Sequence, residues 1–208
     1  FELISQNTAE IKGVSRWFNA ICCRANEDQI KKIKSFHFVK DVKRTVKYLN
    51  TCRTVSEEIS MNNLMERQIT SLEGGYFHKN NLTGKGIRIC VIDGGFKGAK
   101  ESPALKHLFE NKQVLKSWDF HHKTENVYRY NNHGTAVLSC IAGKYQNQIM
   151  GLAQSSEFLL ARTERVLVEN ESEEELWLMA MEWADANGTD IINTSLGYTS
   201  DEYFNYQM

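Results

Sequence analysis

Ile87–Phe96 reads IRICVIDGGF, an apolar run broken only by Arg88 that halts at an acid and two glycines. Short apolar runs rich in β-branched residues and closed by glycine have the character of buried strands. This strand ends by holding up a carboxylate, Asp93. Gly94 and Gly95 then free the backbone for a tight turn that another side chain or a ligand can approach closely.

Outward from this strand, the chain from Gly84 alternates between strand and helix patterns. The strand at 87–92 is followed by an irregular segment, a strand near 114–120, a helix over 134–143 and a strand at 157–163. The next helix is well signalled: Ser172 and Glu175 form an S-x-x-E capping box, Leu176, Met179, Ala180 and Trp183 share a face, and Asn187-Gly188 closes the end. DIINTSLG (190–197) follows directly as a last strand. Such alternation implies an α/β domain with a mainly parallel sheet, whose functional groups collect at the carboxyl ends of its strands. Asp93 stands at such an end.

Two further stretches carry chemistry. In NNHGTAVLSCIAG (131–143), His133 stands where helical periodicity begins, so its imidazole projects from the first turn of a helix built of small and apolar residues. An acid at a strand tip and this histidine can form a carboxylate–imidazole pair, the acid fixing the tautomer so that the other ring nitrogen acts as a base. In IINTSLGY (191–198), Ser195, Leu196 and Gly197 follow an apolar strand and offer an edge along which an extended peptide can pair with the main chain.

The 208 residues, 41% hydrophobic, suffice for one ordinary domain and a smaller one. No apolar stretch is long enough to span a membrane, and Phe1 is not followed by a basic and then apolar leader. The net charge of -1 gives no footprint for nucleic acid. Charge is nevertheless uneven: residues 1–50 hold ten Lys/Arg against five Asp/Glu, and the remainder is acidic, so the two pieces attract. The five cysteines follow neither zinc nor redox spacing. Cys90 and Cys140 are expected to be buried and inert, whereas Cys22 and Cys23 are strand neighbours facing opposite ways.

Near the N-terminus, SRWFNAICCRA (15–25) reads as a strand, Asn26 as the cap of the helix EDQIKKIKS (27–35), and HFVKDVKRTVKYL (37–49) as a second strand. Residues 51–81 read as a connector with one helical turn near Asn63–Gln68.

Together, VIDGGF, HGTAV and INTSLG, in that order, resemble the Asp, His and substrate-binding blocks of the subtilisin-like serine proteases. The likeness runs from about Thr83 to Tyr198. The N-terminal strand–helix–strand unit resembles, more loosely, part of the inhibitory propeptide of that family. The implied organisation is a partial propeptide-like α+β module at 1–50, a connector and start of the mature region at 51–82, and the N-terminal part of a subtilisin-like peptidase domain at 83–208, with processing between about Tyr48 and Met61.

By this resemblance, Asp93 orients His133, which deprotonates a serine nucleophile, and Ser195, Leu196 and Gly197 bind substrate. The implied partners are a peptide or protein substrate, the chain's own propeptide in the cleft, and a C-terminal remainder of the domain. The implied location is secreted or cell-envelope in a bacterium. The family's G-T-S-x-[AS] nucleophile block and its oxyanion-hole asparagine do not occur in this sequence, so the serine is expected beyond Met208. No cofactor is identified, and structural calcium is implied by the family alone. His121, His122 and Asp119 lack zinc-ligand spacing, and adjacent histidines in a polar loop read as solvated. Two alternatives stay open: a catalytically inactive peptide-binding scaffold, and an Asp-dependent phosphoryl-transfer enzyme, disfavoured because position 95 is Gly where such enzymes carry a second acid and no phosphate-binding glycine motif is present.

Overall fold

The computed structural model describes residues 1–44, 69–71, 73–146, 148–164 and 171–196. Its centre is a four-stranded sheet of β3 (Arg88–Asp93), β4 (Val114–Asp119), β7 (Glu157–Arg162) and β8 (Ile191–Thr194). The spatial order is β4-β7-β3-β8 and every pairing is parallel, as the alternating pattern predicts. Parallel neighbours require a crossover that lays cover on the sheet, and this sheet is covered on both faces.

The period-2 alternation of the strands sorts the core into two clusters. Ile89 and Val91 of β3 and Phe158 and Leu160 of β7 face one way. There they pack with Leu138 and Ala142 of α5 (His133–Ala142) and Leu108 of α4 (Lys106–Glu110). Cys90, Ile92, Leu159 and Ala161 face the other way, against Ala180 and Ala184 of α6 (Glu171–Ala186). Leu176, Ala180 and Ala184 recur every four residues on α6 and are buried; alanine there lets the helix lie close to the sheet. Each large side chain buried in this way contributes about 1.5–3 kcal/mol.

Several helix details differ from expectation. α6 is described over Glu171–Ala186, a span that includes the expected cap position 172. Its C-terminal end is as predicted: the Asn187 amide bonds back to Trp183 O, and Gly188 takes the left-handed conformation at φ 70. Cys90 is buried, but Cys140 is exposed. α5 buries Gly134, Leu138 and Ala142, and Cys140, two residues from Leu138, is turned about 200° away from that stripe. A two-residue hairpin, β5 (Lys144–Tyr145) with β6 (Gln148–Ile149), follows α5.

The N-terminal module is helix, hairpin, helix: α1 (Glu2–Gln6), β1 (Glu10–Ser15), β2 (Ala20–Arg24) and α2 (Glu27–Lys34). The segment 15–25 is therefore not one strand. The chain reverses at 16–19, where Asn19 takes φ 48 and Ser15 Oγ accepts the Phe18 amide at 3.1 Å. β2 does place Cys22 and Cys23 side by side on its length. Asn26 caps α2 as expected, in a reciprocal box: its side chain accepts from the Gln29 amide and its own amide donates to Gln29 Oε1, both at 2.9 Å. Residues 37–44 form no strand, and the rest of the expected second strand lies outside the described residues, as do the helical turn near Asn63–Gln68 and the processing segment between Tyr48 and Met61. The connector contributes instead α3 (Gly74–Lys79).

The β1–β2 hairpin lies on the outer side of α6. Gly13 makes room for Met179, whose Sδ would stand 1.9 Å from a Cβ at that position. The Glu182 carboxylate accepts Ser15 Oγ at 2.5 Å, the Arg16 amide at 2.8 Å and the Trp17 amide at 3.2 Å. Cys22 Sγ donates to Glu175; burial, then this hydrogen bond and the carboxylate's charge, push its thiol well above the ordinary range.

Burial works against the Glu182 carboxylate, but the Ser15 hydrogen bond and the Arg16 and Trp17 amides outweigh it and hold the carboxyl below its ordinary value of 4.5. A depressed folded value means that the hairpin contact is complete above 4.5 and is lost as pH falls through the lower value. Glu182→Ala is expected to speed amide exchange at Arg16 and Trp17 by about tenfold or more at neutral pH, with core strands unaffected. Hydrogen exchange followed by NMR checks this, and unchanged protection of those two amides would refute the anchoring role.

Candidate active site

Strand alternation decides where Asp93 points. It continues the Ile89–Val91 series and so lies on the face covered by α5, whose first residue is His133. Forty residues apart in sequence, the two side chains meet: His133 Nδ1 stands 3.0 Å from each oxygen of the Asp93 carboxylate. The carboxylate is fully buried, whereas the His133 side chain is 54% exposed. An ionised carboxylate only accepts, so Nδ1 carries the proton and Nε2 keeps its lone pair for the solvent side. Asn131 Oδ1 receives the His133 amide at 2.9 Å and fixes the start of the helix.

Burial pushes the Asp93 carboxyl above its ordinary value, opposed by the His133 hydrogen bond and charge and by the backbone amides of Gly94 and Gly134. The Gly94 amide is 2.7 Å from Oδ1. Glycine is required here by space. A Cβ on Gly134 would lie 2.6 Å from Gly95 O and 2.9 Å from the Asp93 Cβ, and one on Gly95 would lie 2.8 Å from Arg129 O. Gly95 also takes φ 147, a backbone region open to few other residues. The Gly134 amide donates to Gly95 O at 3.0 Å, so the turn after β3 and the start of α5 are bonded directly.

Beside this pair lies a cluster of which the sequence singles out Asp119 and His122 but not Arg162. Arg162, at the end of β7 and in register with Asp93, is 2% exposed. Its Nε donates to Gly94 O and its Nη1 to Asp119 Oδ2, both at 2.9 Å. Asp119, at the end of β4, also accepts the His121 and His122 amides at 2.9 and 3.1 Å and His122 Nδ1 at 2.9 Å. Burial raises the Asp119 carboxyl, but the His122 and Arg162 interactions outweigh it and leave the group below its ordinary value. The His122 ring stacks on Tyr130, over which the Arg162 guanidinium also lies, 4.3 Å from the ring centroid.

The two histidines are thus not simply solvated: His122 is bound to Asp119, and His121 Nε2 stands 2.8 Å from Thr163 O. No cluster suited to a metal ion occurs among the described residues. Arg162 was legible in principle, since alternation from Phe158 and Leu160 puts an arginine on the Asp93 face beside it.

The third sequence block lies on β8, the strand next to β3. β8 pairs with β3 up to Ile92↔Thr194, which sets Ser195 alongside the Asp93 strand end. Ser195 is exposed and its Oγ donates to Asn193 Oδ1 at 3.2 Å. Leu196 packs partly buried against the α6-side cluster. Gly197 lies outside the described residues.

The raised Asp93 value has a definite sign. Its contribution to stability is full below the ordinary 3.8 and is lost as pH rises through the higher folded value. Asp93→Asn is expected to remove this loss, giving a chain at least as stable as the parent at neutral pH. Urea midpoints measured across that pH window check this, and an unchanged slope would contradict it.

The profile described as the subtilase family matches residues 84–206, and that described as the peptidase S8 propeptide domain of Bacteroidota matches residues 1–62. The minor extracellular protease Epr of Bacillus subtilis (strain 168) is 25% identical over 207 residues, covering 96% of this chain and 30% of the relative. Subtilisin E of the same organism and subtilisin NAT of Bacillus subtilis subsp. natto are each 25% identical over 199 residues, covering 94% of this chain and 46% of the relative. The chain thus spans less than half the length of these relatives. With the parallel sheet and a family match over more than half its length, the chain belongs to the subtilase family.

Proposed function

We propose that this chain is the propeptide-like module and N-terminal part of the peptidase domain of a serine endopeptidase, with its nucleophilic serine outside these 208 residues. The observation that carries the reading is the buried Asp93 carboxylate at 3.0 Å from Nδ1 of a half-exposed His133. In this reading residues 1–50 form the inhibitor-like module, 51–82 the connector and 83–208 the peptidase part. The lengths of the relatives support a nucleophile carried elsewhere, since this sequence has no G-T-S-x-[AS] block.

The steps assigned to this chain are proton transfers. Asp93 holds Nδ1–H and keeps Nε2 basic. As the serine oxygen attacks the peptide carbonyl, its proton passes to Nε2, and the imidazolium is stabilised by the Asp93 charge. The tetrahedral intermediate collapses when Nε2–H gives that proton to the leaving amine. Water repeats the cycle on the acyl-enzyme: it loses a proton to Nε2, and the proton returns to the serine oxygen. Ser195, Leu196 and Gly197 are assigned to the edge that pairs with the substrate backbone. An extracellular location is supported by the similarity to the minor extracellular protease Epr, and among the described residues no helix is long and apolar enough to cross a membrane.

The second reading is a peptide-binding scaffold without catalysis. Fluorophosphonate labelling of the complete polypeptide separates the two, because only an activated serine reacts. His133→Ala in that polypeptide is expected to lower turnover by roughly 10⁶-fold and to abolish self-processing, with the fold retained. Retained proteolysis would overturn the mechanism.

A further inference from the structure

Arg162 is a buried cation that the proton transfers above leave unused. Its interactions differ in kind, one of them reaches the turn after β3, and Nη1 also stands 3.2 Å from His122 Nδ1. Nε holds Gly94 O, Nη1 holds Asp119, and the guanidinium plane lies on Tyr130. Gly94 is thereby gripped at both ends, since its amide is bonded to Asp93 Oδ1 and its carbonyl to Arg162. The next carbonyl, Gly95 O, receives the Gly134 amide from the start of the His133 helix. Two glycines in succession have little intrinsic preference for one conformation. Strand β3 sets the face on which the Asp93 carboxylate lies, and what holds the turn sets the place of the Gly94 amide that the carboxylate accepts.

We infer that Arg162 is a positioning residue: through the Gly94 carbonyl, it sets the turn that aims the Asp93 carboxylate at His133 Nδ1, with Asp119 as its buried counter-charge and Tyr130 as the plate that keeps the guanidinium flat. The role requires an arginine. A lysine ammonium has no fork to reach a carbonyl and a carboxylate in two fixed directions, and it stacks less well on an aromatic ring. The charged and titratable groups around the turn are Asp93, His133, Arg162, Asp119, His122 and Glu164; Glu164 Oε2 would lie 3.7 Å from a Cβ on Gly94. Asp119 also keeps Arg162 from acting as an unpaired buried charge, a cost the fold would otherwise bear.

The clamp rests on the proposed function only for its effect on turnover, so the test has two arms. In the 208-residue chain, the His133 Nδ1–H resonance and the exchange rate of the Gly134 amide report the aim of the carboxylate, whether or not the protein is a protease. Arg162→Lys, which keeps charge and stem, and Arg162→Met are compared with Arg88→Met. That control breaks the Arg88–Glu157 pair (2.6 Å), whose residues begin β3 and β7. The expected result is loss or displacement of the Nδ1–H signal and about tenfold faster Gly134 exchange in both Arg162 variants, with neither change in Arg88→Met at a similar urea midpoint.

In the complete polypeptide, Arg162→Lys is expected to lower kcat by about 10–10²-fold with KM within about twofold, as misplacement of a catalytic group does. Added methylguanidinium is expected to restore part of kcat to Arg162→Gly. If Arg162→Met fails to fold, Arg162→Lys decides alone. An Arg162→Lys chain with an unchanged Nδ1–H signal and Gly134 exchange would overturn the clamp. Loss of that signal in a polypeptide that never reacts with a fluorophosphonate would keep the clamp and reject the protease reading.

Discussion

A carboxylate with no access to water must find its donors in the protein, and the arrangement around Asp93 follows from that requirement. Its oxygens accept the Gly94 amide and the His133 ring nitrogen, and the Gly134 backbone adds a further favourable interaction. These groups belong to the turn and to the start of α5, so satisfying one buried acid fixes β3, the turn that follows it and the start of α5 relative to one another. The glycines at 95 and 134 follow from the same demand, since side chains there would force the turn and the helix apart. Removal of the carboxylate from water raises its energy; the imidazole that offsets this also gains an exposed, basic second nitrogen. One interaction thus serves both the fold and the chemistry proposed for it.

The sheet supplies the rigidity that this pairing needs. β3 and β7 run in register for six residues, from Arg88↔Glu157 to Asp93↔Arg162. The strand that delivers the acid is therefore bonded along its length to the strand that delivers the arginine. Both strands carry apolar side chains on their two faces, which places their ends, and only their ends, in reach of polar chemistry. Charges occur there as partners: Arg162 between Asp119 and the Gly94 carbonyl, Asp93 against His133. Removal of Asp119 from this set would leave the buried Arg162 charge uncompensated.

What could be read from the sequence was what repeats or what carries a distinctive residue type. The apolar strands at 87–92 and 157–163, the helix starting near His133 and the Asn187-Gly188 stop all emerge from periodicity and caps, and the parallel sheet follows from their alternation. Asp93 and His133 were legible because an acid after an apolar strand and a histidine before Gly-Thr are conspicuous. The hairpin at 16–19 was not, because Asn19 stands inside an aromatic and apolar run that reads as one strand, and the reversal also rests on Glu182, far along the chain. The assembly of Asp119 and His122 with Arg162 escaped for a related reason. Its members sit at the ends of two strands and a loop that become neighbours only through the order β4-β7-β3-β8, and an ordering that skips along the chain is not written in local patterns. Cys140 was misread because an apolar helix was taken as buried all round, whereas α5 has one stripe inside.

The seat of the hairpin on α6 has a consequence for how the two parts can diverge. Glu182 grips the amides of Arg16 and Trp17, groups that every residue except proline possesses. Trp17 itself is 52% exposed. Recognition here reads the path of the main chain and is nearly blind to the letters at the bend. Substitutions can therefore accumulate at 16 and 17 without a matching change on the helix, so long as position 15 keeps a small hydroxyl and neither site becomes proline.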